Sequence, residues 1–129
     1  MEPTLVTAPE HLPILDELMR REPIFHHAEF GTRRVDFENM TDPCFWEVGA
    51  SGRRYGRQYV LDVLGDRPRG FGEDVWETRD AHCLPIAPDN FLITYTLLQG
   101  PRVTRRATIW RRTPSGWRIV YHQGTVVEP

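Results

Sequence analysis

Arg106, Thr108 and Trp110 alternate within the run Val103–Arg112, and alternation of that period puts all three on one face of a β-strand. A guanidinium on a core-facing position needs a counter-charge or a bound anion, because an unpaired buried charge is costly. Glu22 and Glu47 are the candidate counter-charges. A ligand carrying an oxygen anion or a carbonyl is the other solution, and arginine's planar fork suits such a group. Pairing the neighbouring runs across their turns adds Tyr95, Tyr121 and Gln123 to the same face. The candidate ligand-binding set is therefore Tyr95, Arg106, Thr108, Tyr121 and Gln123, with Trp46 beside Glu47. Glu22 and His26 stand four residues apart. On a continuous helical turn that spacing gives a carboxylate-oriented imidazole. Pro23 interrupts the turn, so a structural histidine is the competing reading.

Other chemistry is absent from the pattern. His26, His27, His82, His122, Cys44 and Cys83 show no CxxC or HxxxH spacing, so no metal is expected. No glycine-rich phosphate loop follows a strand and no nucleophile elbow is present. All 16 basic residues are arginine, which removes Schiff-base chemistry and a pyridoxal anchor; no cofactor is expected. The net charge of −2 argues against a nucleic-acid partner. Two cysteines are too few for a disulfide scaffold and read as small buried hydrophobes in a reducing compartment. No apolar run approaches the ~20 residues of a membrane span, and Met-Glu-Pro-Thr begins no signal peptide. The expectation is a cytoplasmic protein of one domain, residues 1–129.

The elements that must position these residues follow from periodicity and punctuation. Thr7-Ala8-Pro9-Glu10 fits a capping box, and Leu12, Leu15, Leu18 and Met19 continue it at helical spacing. Pro23 ends that helix. Pro23–Phe30 reads as a short turn or helix, and Thr32 as the N-cap of a second helix, Arg33–Met40. Asp42-Pro43 opens a strand, Cys44–Gly49, and Ala50-Ser51-Gly52 turns the chain. Arg57–Leu64 reads as a third helix stopped by Gly65. A loop, Asp66–Glu73, leads to a strand Val75–Leu84. Three more strands close the chain, Phe91–Leu98, Val103–Arg112 and Trp117–Val127.

Two hairpins sort the faces. Thr113-Pro114-Ser115-Gly116 favours a type I turn, so Arg112 opposes Trp117. Stepping by two then pairs Trp110 with Ile119, Thr108 with Tyr121 and Arg106 with Gln123. Gly100-Pro101 sets Leu98 against Val103, hence Tyr95 against Arg106, Ile93 against Thr108 and Phe91 against Trp110. This heavy apolar face is the one helices must cover. His122 falls on the opposite face and is demoted; His11 and His27 are expected to be exposed, and His82 has no identifiable partner. The opposite face mixes Thr94, Thr96, Ala107, Ile109 and Val120 with Arg105, Arg111 and Arg118. It suits homodimerisation better than bare solvent. A β-bulge would exchange the two faces beyond it.

Three segments carry a family resemblance: Arg21-Glu22-Pro23-Ile24-Phe25-His26, Phe45-Trp46-Glu47-Val48-Gly49-Ala50-Ser51-Gly52, and Arg106-Ala107-Thr108-Ile109-Trp110 leading to Gly116-Trp117-Arg118-Ile119-Val120-Tyr121-His122-Gln123-Gly124. Over nearly its whole length the chain resembles the NTF2-like (SnoaL-like, cystatin-like cone) superfamily, and more narrowly the DUF4440 group. The resemblance implies an α+β cone: a curved antiparallel sheet packed against N-terminal helices, in the order α-α-β-α-β-β-β-β. It implies a small-molecule pocket, with activities ranging from isomerases, dehydratases and cyclases to non-catalytic carriers and interaction modules. Set against ketosteroid isomerase, Asp42–Glu47 places Glu47 at the catalytic-base position. A carboxylate there, near Trp46, could have its pKa raised into a useful range. The second oxyanion donor of that enzyme falls at Thr108, and its helical tyrosine has no match. Steroid isomerisation itself is therefore not implied.

Overall fold

The chain runs through two helices, two strands, a third helix and four further strands. The structure, a computed structural model, describes residues 1–65 and 75–128; the expected loop Asp66–Glu73 lies outside the described residues. Helix α1 is Leu12–Met19, α2 Arg34–Met40 and α3 Arg57–Gly65. Strands β1 to β6 are Thr41–Val48, Arg54–Gly56, Glu77–Ala87, Asn90–Gln99, Arg102–Thr113 and Gly116–Val126. They form one curved sheet in the order β2-β1-β6-β5-β4-β3. All neighbours are antiparallel except β1 and β6, which run parallel. The α+β class and element order are those expected, with the short strand β2 added.

Local chemistry explains where the helices start. The expected Thr7 capping box does not form. Thr7 Oγ1 instead accepts the Cys83 backbone N–H at 3.1 Å, which ties the N-terminal segment to β3. A 3-10 turn, Pro9–His11, leads into α1, which has a proline in its first turn and no side-chain cap. Proline is tolerated there because the first N–H groups have no helical partner. Before α2 the N-cap is Arg33 rather than Thr32, and the Asp36 carboxylate accepts the Arg33 N–H at 3.0 Å.

Leu15 and Leu18 of α1, Phe37 of α2 and Val60, Leu61 and Leu64 of α3 pack against Phe91, Ile93, Leu97, Trp110 and Ile119 on the sheet. Each such side chain contributes roughly 1.5–3 kcal/mol of transfer free energy. The β4–β5 hairpin has the expected register, including Tyr95 opposite Arg106 and Ile93 opposite Thr108.

The β5–β6 hairpin begins as expected, with Arg112 opposite Trp117 and Trp110 opposite Ile119. Then Val120 is extra: Ile109 opposes Tyr121, Thr108 opposes His122 and Arg106 opposes Gly124. This bulge corrects the expected faces. Tyr121 and Gln123 move to the outer face, and His122 and Gly124 to the helix-covered one. The physical reason lies in both neighbours of β6. Its register with β1 also shifts, between Thr41–Ile119 and Trp46–Tyr121. On the β5 side, the Arg106 side chain lies over residue 124, where a Cβ would meet its Cδ and Nε at 3.4 Å. Glycine leaves the guanidinium stem room to rest directly on the strand, which a glutamine in register there would crowd.

Both cysteines are free. Cys83 is buried as expected, whereas Cys44 is exposed on the outer side of β1. The Cys44 thiol is pushed up by its hydrogen bond to the Asp42 carboxylate and by burial, so it stays protonated. Asp42 itself is 6% exposed. It accepts the Cys44 N–H at 3.0 Å and pairs with Arg111 at 2.6 Å, joining β1 to β5 across β6. Burial alone would raise this carboxyl, but the Cys44 hydrogen bonds and the Arg111 and Arg118 charges hold it below the usual range. A carboxyl lowered by folding stabilises the protein above its unfolded pKa and loses that stabilisation as pH falls through the folded value. Asp42→Asn should therefore lower the unfolding free energy at pH 7 by about 1–3 kcal/mol and by much less near pH ~3. Urea unfolding at the two pH values reads the difference; equal losses at both would show that the charge of Asp42 contributes nothing.

Candidate functional site

Glu22 follows the last turn of α1 and is 2% exposed. One carboxylate oxygen accepts the Tyr95 hydroxyl at 2.7 Å and the other accepts the Trp110 indole N–H at 3.0 Å. Two neutral donors thus hold one buried carboxylate over the sheet. The backbone carbonyl of Glu22 is engaged as well, 2.6 Å from His27 Nε2. Burial, and next the Glu22 charge, push the Tyr95 hydroxyl well above its ordinary value, so Tyr95 remains a neutral donor. The expected Glu22–His26 pairing is replaced by this arrangement, because the chain has left the helix before His26. The His26 ring instead meets Trp76 edge-on at 6.0 Å.

Four residues along β5 from Trp110, on the same face and opposite Tyr95, lies Arg106. Its side chain rests over Gly124, and its Nε donates to Thr104 Oγ1 at 3.0 Å. Among the described residues its terminal nitrogens make no ion pair within 4.0 Å. Burial lowers its pKa, the Arg102 charge adds to that, and Tyr95, Glu22 and Glu47 offset part of it. The guanidinium therefore sits within electrostatic range of both carboxylates without closing on either.

Glu47 of β1 lies beside His122 of β6, with Oε2 3.2 Å from Nδ1. The His122 side chain is 5% exposed and that of Glu47 21%. A carboxylate only accepts, so Nδ1 carries the proton of this hydrogen bond, and in the neutral imidazole the lone pair is then on Nε2. Among the described residues Nε2 is buried and without a hydrogen-bond partner, as is Oγ1 of Thr108, the residue opposite His122. Buried polar atoms without partners are uncommon, and each calls for an explanation. The arrangement is an oriented imidazole, a hydroxyl and a desolvated guanidinium on one interior face.

Of the residues expected to share that face, Glu22, Glu47, Tyr95, Arg106 and Thr108 do so. Trp46, Tyr121 and Gln123 lie on the other side of the sheet. There the Trp46 and Tyr121 rings are 4.8 Å apart, and the Tyr121 hydroxyl donates to Gln123 Oε1 at 2.7 Å. Gln123 lines an outer cleft of about 400 Å³ with Thr94, Thr96 and Arg105, walled by Glu2 and Leu5. His122 was missed because a regular ladder puts it outside. Gly124 was the available signal: a glycine inside a strand marks a bulge or a close approach.

Solved structures of the same architecture exist at low sequence identity. An uncharacterised protein with a cystatin-like fold from Caulobacter vibrioides superposes with a TM-score of 0.66 at 19% identity, over 88% of this chain and 89% of that one. An NTF2-like protein of unknown function in nutrient uptake from Rhodospirillum rubrum gives 0.64 at 19%, over 90% and 98%. A candidate ketosteroid isomerase from Parabacteroides distasonis gives 0.63 at 16%, over 99% and 95%. The fold is the NTF2-like, cystatin-like cone. No family model and no curated protein matches the sequence. Within this cone, the Glu22 tie to Tyr95 and Trp110 predicts a measurable cost. Glu22→Gln presents an amide N–H₂ to a donor and should destabilise by about 1–3 kcal/mol. Tyr95→Phe should cost less in the Glu22→Gln background than in the parent. A double-mutant cycle in urea checks this; strictly additive losses would mean the two groups do not interact.

Proposed function

We propose that the protein binds a small carbonyl compound inside the cone and moves a proton on it without a cofactor, as an isomerase or dehydratase does. The observation that carries this reading is the buried His122, held by Glu47 with Nε2 presented to the interior. In this reading Nε2 removes a proton from the carbon beside the carbonyl. The C–H electron pair passes into the carbonyl oxygen, and Arg106 N–H groups stabilise the negative charge that develops there. Return of the proton at another carbon isomerises the substrate; loss of a hydroxide from the next carbon, protonated as it leaves, dehydrates it.

Charge favours a carbonyl over a full anion. The interior already holds two carboxylates, Glu22 and Glu47, within range of one guanidinium. A neutral oxygen that gains charge only during the reaction fits that balance better than a second carboxylate. Glu47, expected from the resemblance to be the base itself, acts here through His122 as the group that orients it. Trp46, Tyr121 and Gln123 do not enter this step. The candidate ketosteroid isomerase among the structural neighbours supports the reaction class and says nothing of the substrate.

A second reading, a dimeric carrier or interaction module, draws support from the outer face. Trp46 there is 43% exposed, and it packs on Tyr121 beside half-buried Ile109 and Ala107. We take this face as the homodimer contact, which predicts a mass of twice 15.1 kDa by light scattering; a monomer at high concentration would defeat it. The narrower DUF4440 grouping and a cytoplasmic setting belong to the same proposal and rest on the sequence motifs.

Deuterium incorporation from solvent into a panel of small ketones and hydroxyketones, followed by NMR, tests the enzymatic reading. His122→Gln should reduce exchange by at least ~100-fold, within the usual range for a general base. Arg106→Gln should reduce it by about 10²-fold. Glu47→Gln should have a smaller effect than His122→Gln, and Tyr121→Phe none. A larger loss from Glu47→Gln than from His122→Gln would return the base role to Glu47. Absence of exchange across the panel would favour the carrier.

A further inference from the structure

We propose a second small-molecule site, in the cleft between Arg21 and the β5–β6 turn, that takes a small aryl or short acyl carboxylate. It does not rest on the proton-transfer reading. The cleft has a volume of about 240 Å³ and is lined by Arg21, Phe30, Asn39, Met40, Ser115 and Trp117, with Asp36 at its rim. Behind Arg21, Phe30 and Met40 lies a smaller cavity of about 20 Å³ that ends on Trp110 and Ile119. A polar cleft thus lies next to an apolar slot with which it shares those three side chains. The cleft accommodates an aromatic ring, and the slot a single water-sized group.

Arg21 supplies the charge. Its guanidinium lies 4.5 Å from the Phe30 ring centroid, which fixes the plane of the fork. Its contact with Glu17 is long, 3.8 Å, and half-exposed on the Glu17 side. Among the described residues Arg21 Nε donates to no partner, so the guanidinium keeps donor capacity for an incoming oxygen. The one carboxylate at the rim is already engaged. Asp36 accepts the Arg33 N–H at 3.0 Å and sits 3.6 Å from Arg33 Nε. Asn39 and Ser115 add exposed polar groups at the mouth. The walls are Trp117 and Met40, both partly buried against the core. An oxyanion on Arg21 with a flat or short apolar body against Trp117 satisfies every surface of this cleft.

The test is an NMR titration of the full chain, reading the indole N–H resonances with phenylacetate and with its neutral isostere phenylacetamide. Phenylacetate should shift the Trp117 indole saturably and leave that of Trp46 in place. Phenylacetamide should bind at least tenfold more weakly. Arg21→Gln should weaken phenylacetate at least tenfold and leave phenylacetamide unchanged. Should Arg21→Gln fail to fold, Ser115→Phe, at an exposed turn position, fills the mouth from the opposite wall and should abolish the shift. No saturable shift at Trp117, equal affinity for the two probes, or a shift that survives Ser115→Phe would overturn the proposal. None of these outcomes bears on proton exchange at His122, so this site and the interior one succeed or fail separately.

Discussion

The hydrogen bonds from Tyr95 and Trp110 to the buried Glu22 carboxylate are the constraint on which the interior depends. Apolar packing between α1 and the sheet is non-directional and would tolerate sliding. The carboxylate accepts one bond from β4 and one from β5, so the end of α1 can occupy one place only. A buried carboxylate is tolerable because both oxygens are satisfied, and breaking either bond leaves an uncompensated polar group in the core. With Glu22 fixed there, Tyr95 is committed as its donor. The polar groups still open to a ligand are those further across the sheet: Arg106, Thr108, His122 and Glu47.

The bulge at Val120 decides which residues join them. Before it, β6 contributes Trp117 and Ile119 to the covered face; after it, His122 and Gly124. A regular ladder would have buried Tyr121 and Gln123 and exposed His122. The exchange has two results that support one another. It places an imidazole beside the Glu47 carboxylate. It also places a residue with no side chain beneath Arg106, so the guanidinium can lie across β6 toward the Glu47 side. One extra residue therefore assembles the interior site and at the same time gathers Trp46 and Tyr121 on the outside.

Much of this was legible in the amino-acid sequence. The period of the apolar residues gave the class, the element order and the covered face of β4 and β5, and it placed Arg106, Thr108 and Tyr95 correctly. Glu22 was legible as a partner for something buried, though its donors were not: Tyr95 and Trp110 are 73 and 88 residues away. Gly124 hinted at an irregularity in β6, but the position of the bulge was not legible: Ile119–Gln123 contains no glycine or proline, and the shift answers to β1, a strand some 75 residues earlier whose pairing with β6 is parallel. Thr7 shows the same limit. Locally it fits a capping box, yet its hydroxyl goes to Cys83 in β3. Local pattern determines what a residue can bond to, and long-range contact determines which of those bonds it makes.

Arg106 shows how these constraints combine. Burial destabilises its charge, and Glu22 and Glu47 restore part of what burial removes. Had either carboxylate closed on it, the result would have been an ordinary buried ion pair whose groups were spent on each other. Each carboxylate is prevented from doing so by a bond of its own, Glu22 to Tyr95 and Trp110, and Glu47 to His122. The guanidinium is therefore stabilised at a distance while its terminal N–H groups stay uncommitted among the described residues. Preorganised donors of this kind need no rearrangement when charge develops on a substrate oxygen, and that is where electrostatic stabilisation is most effective. The same network that makes a buried arginine tolerable is the one that leaves it available.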